Sequence, residues 1–283
     1  RLGVRERLGI AYETLRRVNP RIVSLSITGY GTTGPQAARP GFDPLLQAQS
    51  GLMQAQGGDG SEPVFHHIAV NDVGSAAMAA LGIVAALVAR TRTGEGQAVH
   101  TSLASQSVLL QIGELTTYPG APAPPTGARD CTGAGALERY YECADGWIAV
   151  ACATAREGAA LADALGLEGL DVHAAMAEPA GGGVLAERIA RVLEPLTVDD
   201  AVARLGDAGA PAVPVVTMDE TFTDPYLEEN GYYESYLDPA SGPARGVAVP
   251  FRFGRSATAF PRAAPMLGEH GAEVLREYGA ARG

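Results

Sequence analysis

VFHHIAVNDVGSAAMAALGIVAALVAR, residues 64–90, changes its hydrophobic period partway along, and that change decides the fold class. Apolar residues alternate weakly through Phe65, Ile68 and Val70, which suits a short strand. The Ala/Leu/Val-rich run 76–89 then suits a buried helix. A strand handing over to a helix is an α/β signature, and Asp72 sits at the junction. Hydrogen-bond donors and the positive end of a helix dipole gather there, which favours an ionised carboxylate. That is the state a carboxylate nucleophile needs. Asp is also among the commonest helix N-caps, so a structural cap stands beside the catalytic reading.

Working outward, residues 5–18 carry Leu8, Ile10, Leu15 and Val18 among charges, a short helix after a turn, closed by Asn19-Pro20. Residues 22–28 alternate as a strand and run into a Gly-rich loop, 29–35. Residues 42–53 are apolar at helical spacing, with Asp43 near the start. Thr93-Gly94-Glu95-Gly96 forms a turn, and 98–103 resumes as a strand leading into another helix. Between 118 and 132 the texture shifts to Pro, Gly and Ala, the best candidate for a domain boundary. Beyond it, Asp145-Gly146 between apolar runs signals a hairpin. Helical patterns follow at 157–165, 184–193 and 199–205, a strand at 211–216, and a last helix at 271–278.

Composition limits the function classes. The 283 residues are 46% hydrophobic and 19% charged, enough for a sizeable core in one large domain or two unequal ones. Net charge is -11 and all 21 basic residues are Arg, which argues against nucleic acid or an anionic membrane as partner. Without Lys there is neither Schiff-base chemistry nor a P-loop. Cys131, Cys143 and Cys152 have no metal-ligand spacing and are odd in number, which predicts ordinary thiols in a reducing compartment and no metal site. No signal peptide opens the sequence and the run 76–89 is shorter than a membrane span, so a cytoplasmic protein is expected. The sequence begins at Arg1 in mid-pattern, and a longer polypeptide is expected.

Gly29-Tyr30-Gly31-Thr32-Thr33-Gly34 matches the dinucleotide fingerprint G-x-G-x-x-G. The fingerprint opens a helix, whereas Pro35 and a polar stretch to Pro40 follow here, with no acid about 20 residues on. Nicotinamide binding is therefore set aside, and the glycines are left to turn tightly or approach something closely. His66 and His67 are candidate bases, but neighbours on a strand face opposite ways and at most one reaches Asp72. His270 reads as a surface or capping residue. Arg7 and Arg39 are either solvated charges or phosphate holders.

Taken together, Arg7-Leu8-Gly9, Asn19-Pro20-Arg21, the 29–35 loop, Arg39-Pro40-Gly41-Phe42-Asp43, Asn71-Asp72, residues 92–97 (RTGEGQ), Ala144-Asp145-Gly146-Trp147 and Leu267-Gly268-Glu269-His270 resemble the family III CoA transferases of the CaiB/BaiF-like superfamily. The resemblance covers nearly the whole chain. It implies a large Rossmann-like α/β domain built from the outer segments, 1–117 and 225–283, and a smaller α/β domain at 118–224, with two chains interlocked as a homodimer. The family also has an N-terminal segment, with part of the CoA site, that these residues do not match; an exposed apolar face and weak CoA binding are expected from its absence.

By the same resemblance Asp72 matches the nucleophile, Arg7 helps hold CoA, and Arg39, Pro40, Gly41, Phe42 and Asp43 line the CoA channel. Gly29 and Gly31 belong to the acyl-site region, and Gly133 and Gly135 are a shortened counterpart of the family's Gly-rich loop over that site. The implied substrates are a CoA thioester and a small carboxylic acid, with no tightly bound cofactor. The implied reaction passes through an aspartyl anhydride and an aspartyl-CoA thioester, with backbone N–H groups near Gly74 or in the 29–35 loop as oxyanion donors. An acyl-CoA racemase, a CoA-dependent lyase and a catalytically silent binding subunit remain alternatives. The racemases resembling this chain carry His where Phe42 stands, which favours the transferase.

Overall fold

The computed structural model describes residues 3–58, 60–121, 123, 124, 127, 132–176, 183–256 and 263–279. The chain divides into two compact units, Arg1–Val213 and Pro214–Gly283. The first opens with α1 (Val4–Arg7) and α2 (Tyr12–Val18). These split the single helix expected over 5–18 because Gly9, at φ 70°, adopts the left-handed conformation between them. Then come β1 (Ser24–Thr28), α3 (Asp43–Gln49), α4 (Leu52–Gly57), α5 (Val70–Thr93), β2 (Ala98–Ser102) and α6 (Leu103–Leu110). β1 and β2 pair in parallel, Ser24 opposite Ala98 through Thr28 opposite Ser102, with the helices as the crossover. Two of the quoted motifs close this unit at the far end of α5. Gly94 ends the helix at φ 79°, and Gly96 donates its N–H to Pro20 O (2.9 Å). A Cβ on Gly96 would lie 1.8 Å from Ile22 O, so only glycine allows that approach.

The stretch 64–90 departs from its expected form in two ways. Residues 62–68 form no strand, and helix α5 runs the full 24 residues from Val70 to Thr93, about 36 Å. Nor is it a buried helix. Its buried residues are Asn71, Ser75, Ala79 and Ala86, a seam of small side chains on one face. The seam lets the sheet come close: a Cβ on Gly82, which lies along it, would meet Val99 at 2.8 Å. The large residues Val73, Leu81, Val84 and Val88 point outward and are at least half exposed. By length and composition α5 could also cross a membrane, which the shorter run 76–89 did not suggest.

The remaining part of the unit holds a large apolar cluster. β3 (Gly133–Gly135), β4 (Glu138–Cys143), β5 (Gly146–Ala151) and, later, β6 (Ala212–Pro214) form one sheet in that order. Asp145-Gly146 makes the predicted hairpin, Cys143 pairing with Gly146. Between β5 and β6 come α7 (Ala155–Leu165), α8 (Val172–Met176), α9 (Gly183–Leu193) and α10 (Val198–Ala208). Leu161, Ile189, Leu193 and Leu205 from three of these helices are fully enclosed in one cluster with Ile148 and Val150. Ile189→Ala should cost about 2–5 kcal/mol, the combined loss of burial and the cavity left behind. A urea titration checks it, and an unchanged midpoint contradicts this assignment of the core.

The second unit holds α11 (Met218–Thr223), α12 (Pro225–Glu229), the hairpin β7 (Tyr233–Asp238) and β8 (Gly242–Val247), and α13 (Gly271–Tyr278). The Arg245 guanidinium lies 4.3 Å over the Tyr233 ring and pairs with Glu228, tying hairpin to helix. His270 occupies the N-cap position of α13.

Candidate active site

The site is built where the parallel strands end, the edge at which open α/β sheets place their ligands. As β1 leaves the sheet, Gly31 donates its N–H to Thr28 Oγ1 (3.0 Å) and the Gly29 carbonyl accepts from Ala104 N (3.0 Å) at the start of α6. Gly29 also lies against Gly41: a Cβ on either would come within 2.6 Å of the other's Cα. Two motifs that stand apart in the sequence are thus pressed together backbone to backbone. The chain turns directly into α3, where Pro44 suits the first turn and Asp43 is its first residue.

Asp43 is 4% exposed, and its carboxylate faces away from solvent. Oδ2 accepts the N–H of Asn71 (2.7 Å) and of Asp72 (3.0 Å), the second and third residues of α5. Oδ1 accepts from Gln47 Nε2 one helical turn along. Gln47 in turn grips the backbone of His66, accepting its N–H at 3.1 Å and donating to its carbonyl at 3.2 Å. Asn71 is fully buried, donates to Asp43 O (3.4 Å) and accepts from Ser107 Oγ (2.7 Å). Gln111 Nε2 donates to Ser107 O (3.0 Å) and Ser50 O (3.3 Å). α3, α5 and α6 are therefore joined by a satisfied polar network, which holds shape more strictly than apolar contact.

Asp72 sits in the first turn of α5 and is exposed. It is not the helix N-cap; Ala69 holds that place, and Asp43 supplies the cap from a distant element. Among the described residues no hydrogen bond or ion pair engages the Asp72 carboxylate. The four leading amides of α5 are all occupied: Val70 by Ile68 O, Asn71 and Asp72 by Asp43, and Val73 by Ala69 O. The first turn therefore offers no free N–H as an oxyanion donor beside Gly74. Gly74 instead makes room for Gln106, whose amide nitrogen would be 2.3 Å from a Cβ there.

The other expected residues divide. Arg39, Pro40 and Phe42 are exposed, Phe42 at 65%, whereas Asp43, expected beside them along a channel, lies beneath the surface as a support. Arg7 is exposed on α1. A cavity of about 260 Å³ between α1 and β1 is lined by Arg5, not Arg7, together with Gly3, Leu25, Ser26 and Thr28. The Arg5 Nη1 is enclosed there with no hydrogen-bond partner among the described residues. Gly133 and Gly135 are strand residues of β3 paired with Arg139 and Glu138, not a loop. His66 and His67 lie in irregular chain, so the strand argument that set them on opposite faces falls away. Cys143 and Cys152 are buried and free. Burial pushes both thiols up, Cys152 to about 11, so neither is a ready nucleophile. Cys131 lies outside the described residues.

Sequence reading missed Gln47, Ser107 and Arg5, and it quoted Asn71 in a motif without its anchoring role. Only Gln47, four residues after Asp43 on one helix, left a local signal.

Residues 1–271 match CoA-transferase family III. The chain is 30% identical to an acyl-CoA transferase of Fusarium pseudograminearum over 98% of its own length and 62% of that protein. It is equally 30% identical to the alpha-methylacyl-CoA racemase of Mus musculus, over 99% of its own length and 73% of the relative. The crystal structure of a CaiB/BaiF family protein from Brucella suis superimposes with a TM-score of 0.79 at 26% identity, over 98% of this chain and 73% of that one. The chain thus spans between three fifths and three quarters of the length of these three proteins. With a family match over residues 1–271, this chain belongs to CoA-transferase family III.

Proposed function

We propose that this chain carries the catalytic centre of a CoA transferase that moves CoA from an acyl-CoA to a small carboxylic acid, with Asp72 as nucleophile. The observation carrying this reading is the unengaged Asp72 carboxylate on a helix start fixed from below by Asp43. The carboxylate attacks the thioester carbonyl; the C–S bond breaks, CoA leaves as thiolate, and a mixed anhydride joins Asp72 to the acyl group. The thiolate attacks the aspartyl carbonyl of the anhydride, giving an aspartyl-CoA thioester and releasing the donor carboxylate. An acceptor carboxylate runs the two steps in reverse and leaves as its own CoA thioester. Oxyanion donors come from the 29–35 loop, since the α5 amides are taken. Arg5, enclosed beside β1, joins Arg7, Arg39 and the exposed side of the 39–42 segment as the CoA-holding surface.

The large outward side chains of α5 support the homodimer. Each of Val73, Leu81, Val84 and Val88, half to two-thirds exposed, contributes about 1 kcal/mol when a protein surface covers the rest of it. A division into a large domain from 1–117 and 225–283 and a smaller one at 118–224 fits the same reading.

Equal identity to a transferase and a racemase leaves the residue at 42 to discriminate. Racemisation removes a proton on one face of the α-carbon and returns it on the other, which takes two titratable groups. Phe42 supplies none. In deuterated water a 2-methylacyl-CoA should therefore gain no deuterium at its α-carbon, while a panel of CoA thioesters and free acids should reveal CoA exchange. Asp72-dependent deuterium uptake would make racemase the better reading.

A further inference from the structure

We propose that Asp43 is a positioning residue for the reaction: its buried carboxylate caps α5 from a separate helix and thereby keeps the Asp72 carboxylate available for attack. The inference rests on the reading of Asp72 as nucleophile. Helix starts leave amides that need acceptors, and a carboxylate in the first turn is well placed to fold back and serve them. Asp72 stands at the third position of α5, in the same turn as those amides. Here two of them, those of Asn71 and Asp72, are already met. Asp43 accepts the Asn71 and Asp72 amides at 2.7 and 3.0 Å, and its negative charge faces the positive helix end.

The support is rigid on both sides. Gln47 locks the other carboxylate oxygen and holds His66 by both backbone groups, which fixes the chain entering α5. Asn71 is anchored by Asp43 O and Ser107, so the first turn cannot rotate about its axis. Asp43 is 4% exposed and has no path to substrate, so it acts only through Asp72. Without it, the amides of residues 71 and 72 are open, and the nearest mobile acceptor is the Asp72 side chain itself. The nucleophile would become a cap.

The test compares Asp43→Asn, whose side-chain oxygen still accepts both amides, with Asp43→Leu, of similar size and without an acceptor. In the full-length protein, rapid-quench mass spectrometry follows the adduct on the peptide containing Asp72, and steady-state kinetics give KM for the thioester. Asp43→Leu should slow adduct formation at least a hundredfold with KM within twofold of wild type, and Asp43→Asn should recover at least a tenth of the wild-type rate. Equal rates in the two variants, or a loss confined to KM, would overturn the inference. If Asp43→Leu does not fold, Gln47→Leu decides, since it keeps the carboxylate but releases it: adduct formation at least fivefold slower supports the inference, and an unchanged rate overturns it. Absence of any Asp72 adduct in wild type would overturn the nucleophile reading and this inference with it, whereas a normal wild-type adduct with no effect of Asp43 overturns this inference alone.

Discussion

Asp72→Ala should leave a folded protein whose CoA exchange is slowed by at least about 10³-fold, the usual scale for removing a covalent nucleophile. Folding should survive because the side chain is exposed and makes no hydrogen bond among the described residues, while its backbone amide, which Asp43 grips, is unchanged. Alanine is also a better helix former than aspartate, so stability should stay within about 0.5 kcal/mol. Circular dichroism and a melting curve check the second half, and a coupled assay of CoA transfer checks the first. A binding subunit without catalysis would show no exchange in wild type. Full activity in Asp72→Ala would remove the nucleophile from this position.

Gly41→Ala should damage both stability and activity. The new Cβ would stand 2.5 Å from the Gly29 Cα and 3.4 Å from Leu46 Cδ2. A contact with backbone at that distance cannot be relieved by a rotamer change, so the two segments must part, at a cost of about 1–3 kcal/mol. The displacement passes into α3 two residues later, where Asp43 holds the start of α5. A shift of about 1 Å in a positioned group can cost about 10²-fold in rate. Urea unfolding and kcat should both report the change, and Gly29→Ala should behave alike because the contact is mutual. A stable, fully active Gly41→Ala would show that the close approach is not needed.

Sequence reading located the elements whose causes are local. Asn19-Pro20 closes α2, Asp145-Gly146 turns the hairpin of the smaller sheet, and the period over 271–278 marks α13. What failed was set by distant partners. Residues 64–68 have strand-like alternation, but the His66 amide and carbonyl both go to the Gln47 side chain, leaving no ladder for a strand there. The burial of α5 is inverted because close packing on the sheet favours Ser75, Ala79 and Ala86, the polar network takes Asn71, and the larger residues turn out. Asp72 reads as an N-cap in isolation; its cap comes from Asp43, 29 residues away. The hairpin of the second unit was passed over because its alternation, Tyr233 through Leu237, is mixed with Glu and Ser. Asp72 is therefore marked in the sequence by the helix it opens and by the Asn71-Asp72 pair, while the strand and the cap read for it are absent and the apparatus that holds it leaves little trace.

Covalent attachment of Asp72 during turnover follows from this mechanism. It is tested most directly by quenching the full-length protein with an acyl-CoA donor, digesting it, and measuring the mass of the peptide that contains Asp72, with and without hydroxylamine. An acyl or CoA adduct on Asp72 should appear within a single turnover, disappear on adding an acceptor acid, and be converted to the hydroxamate by hydroxylamine. An adduct on another residue, or turnover with Asp72 unmodified throughout, would contradict it.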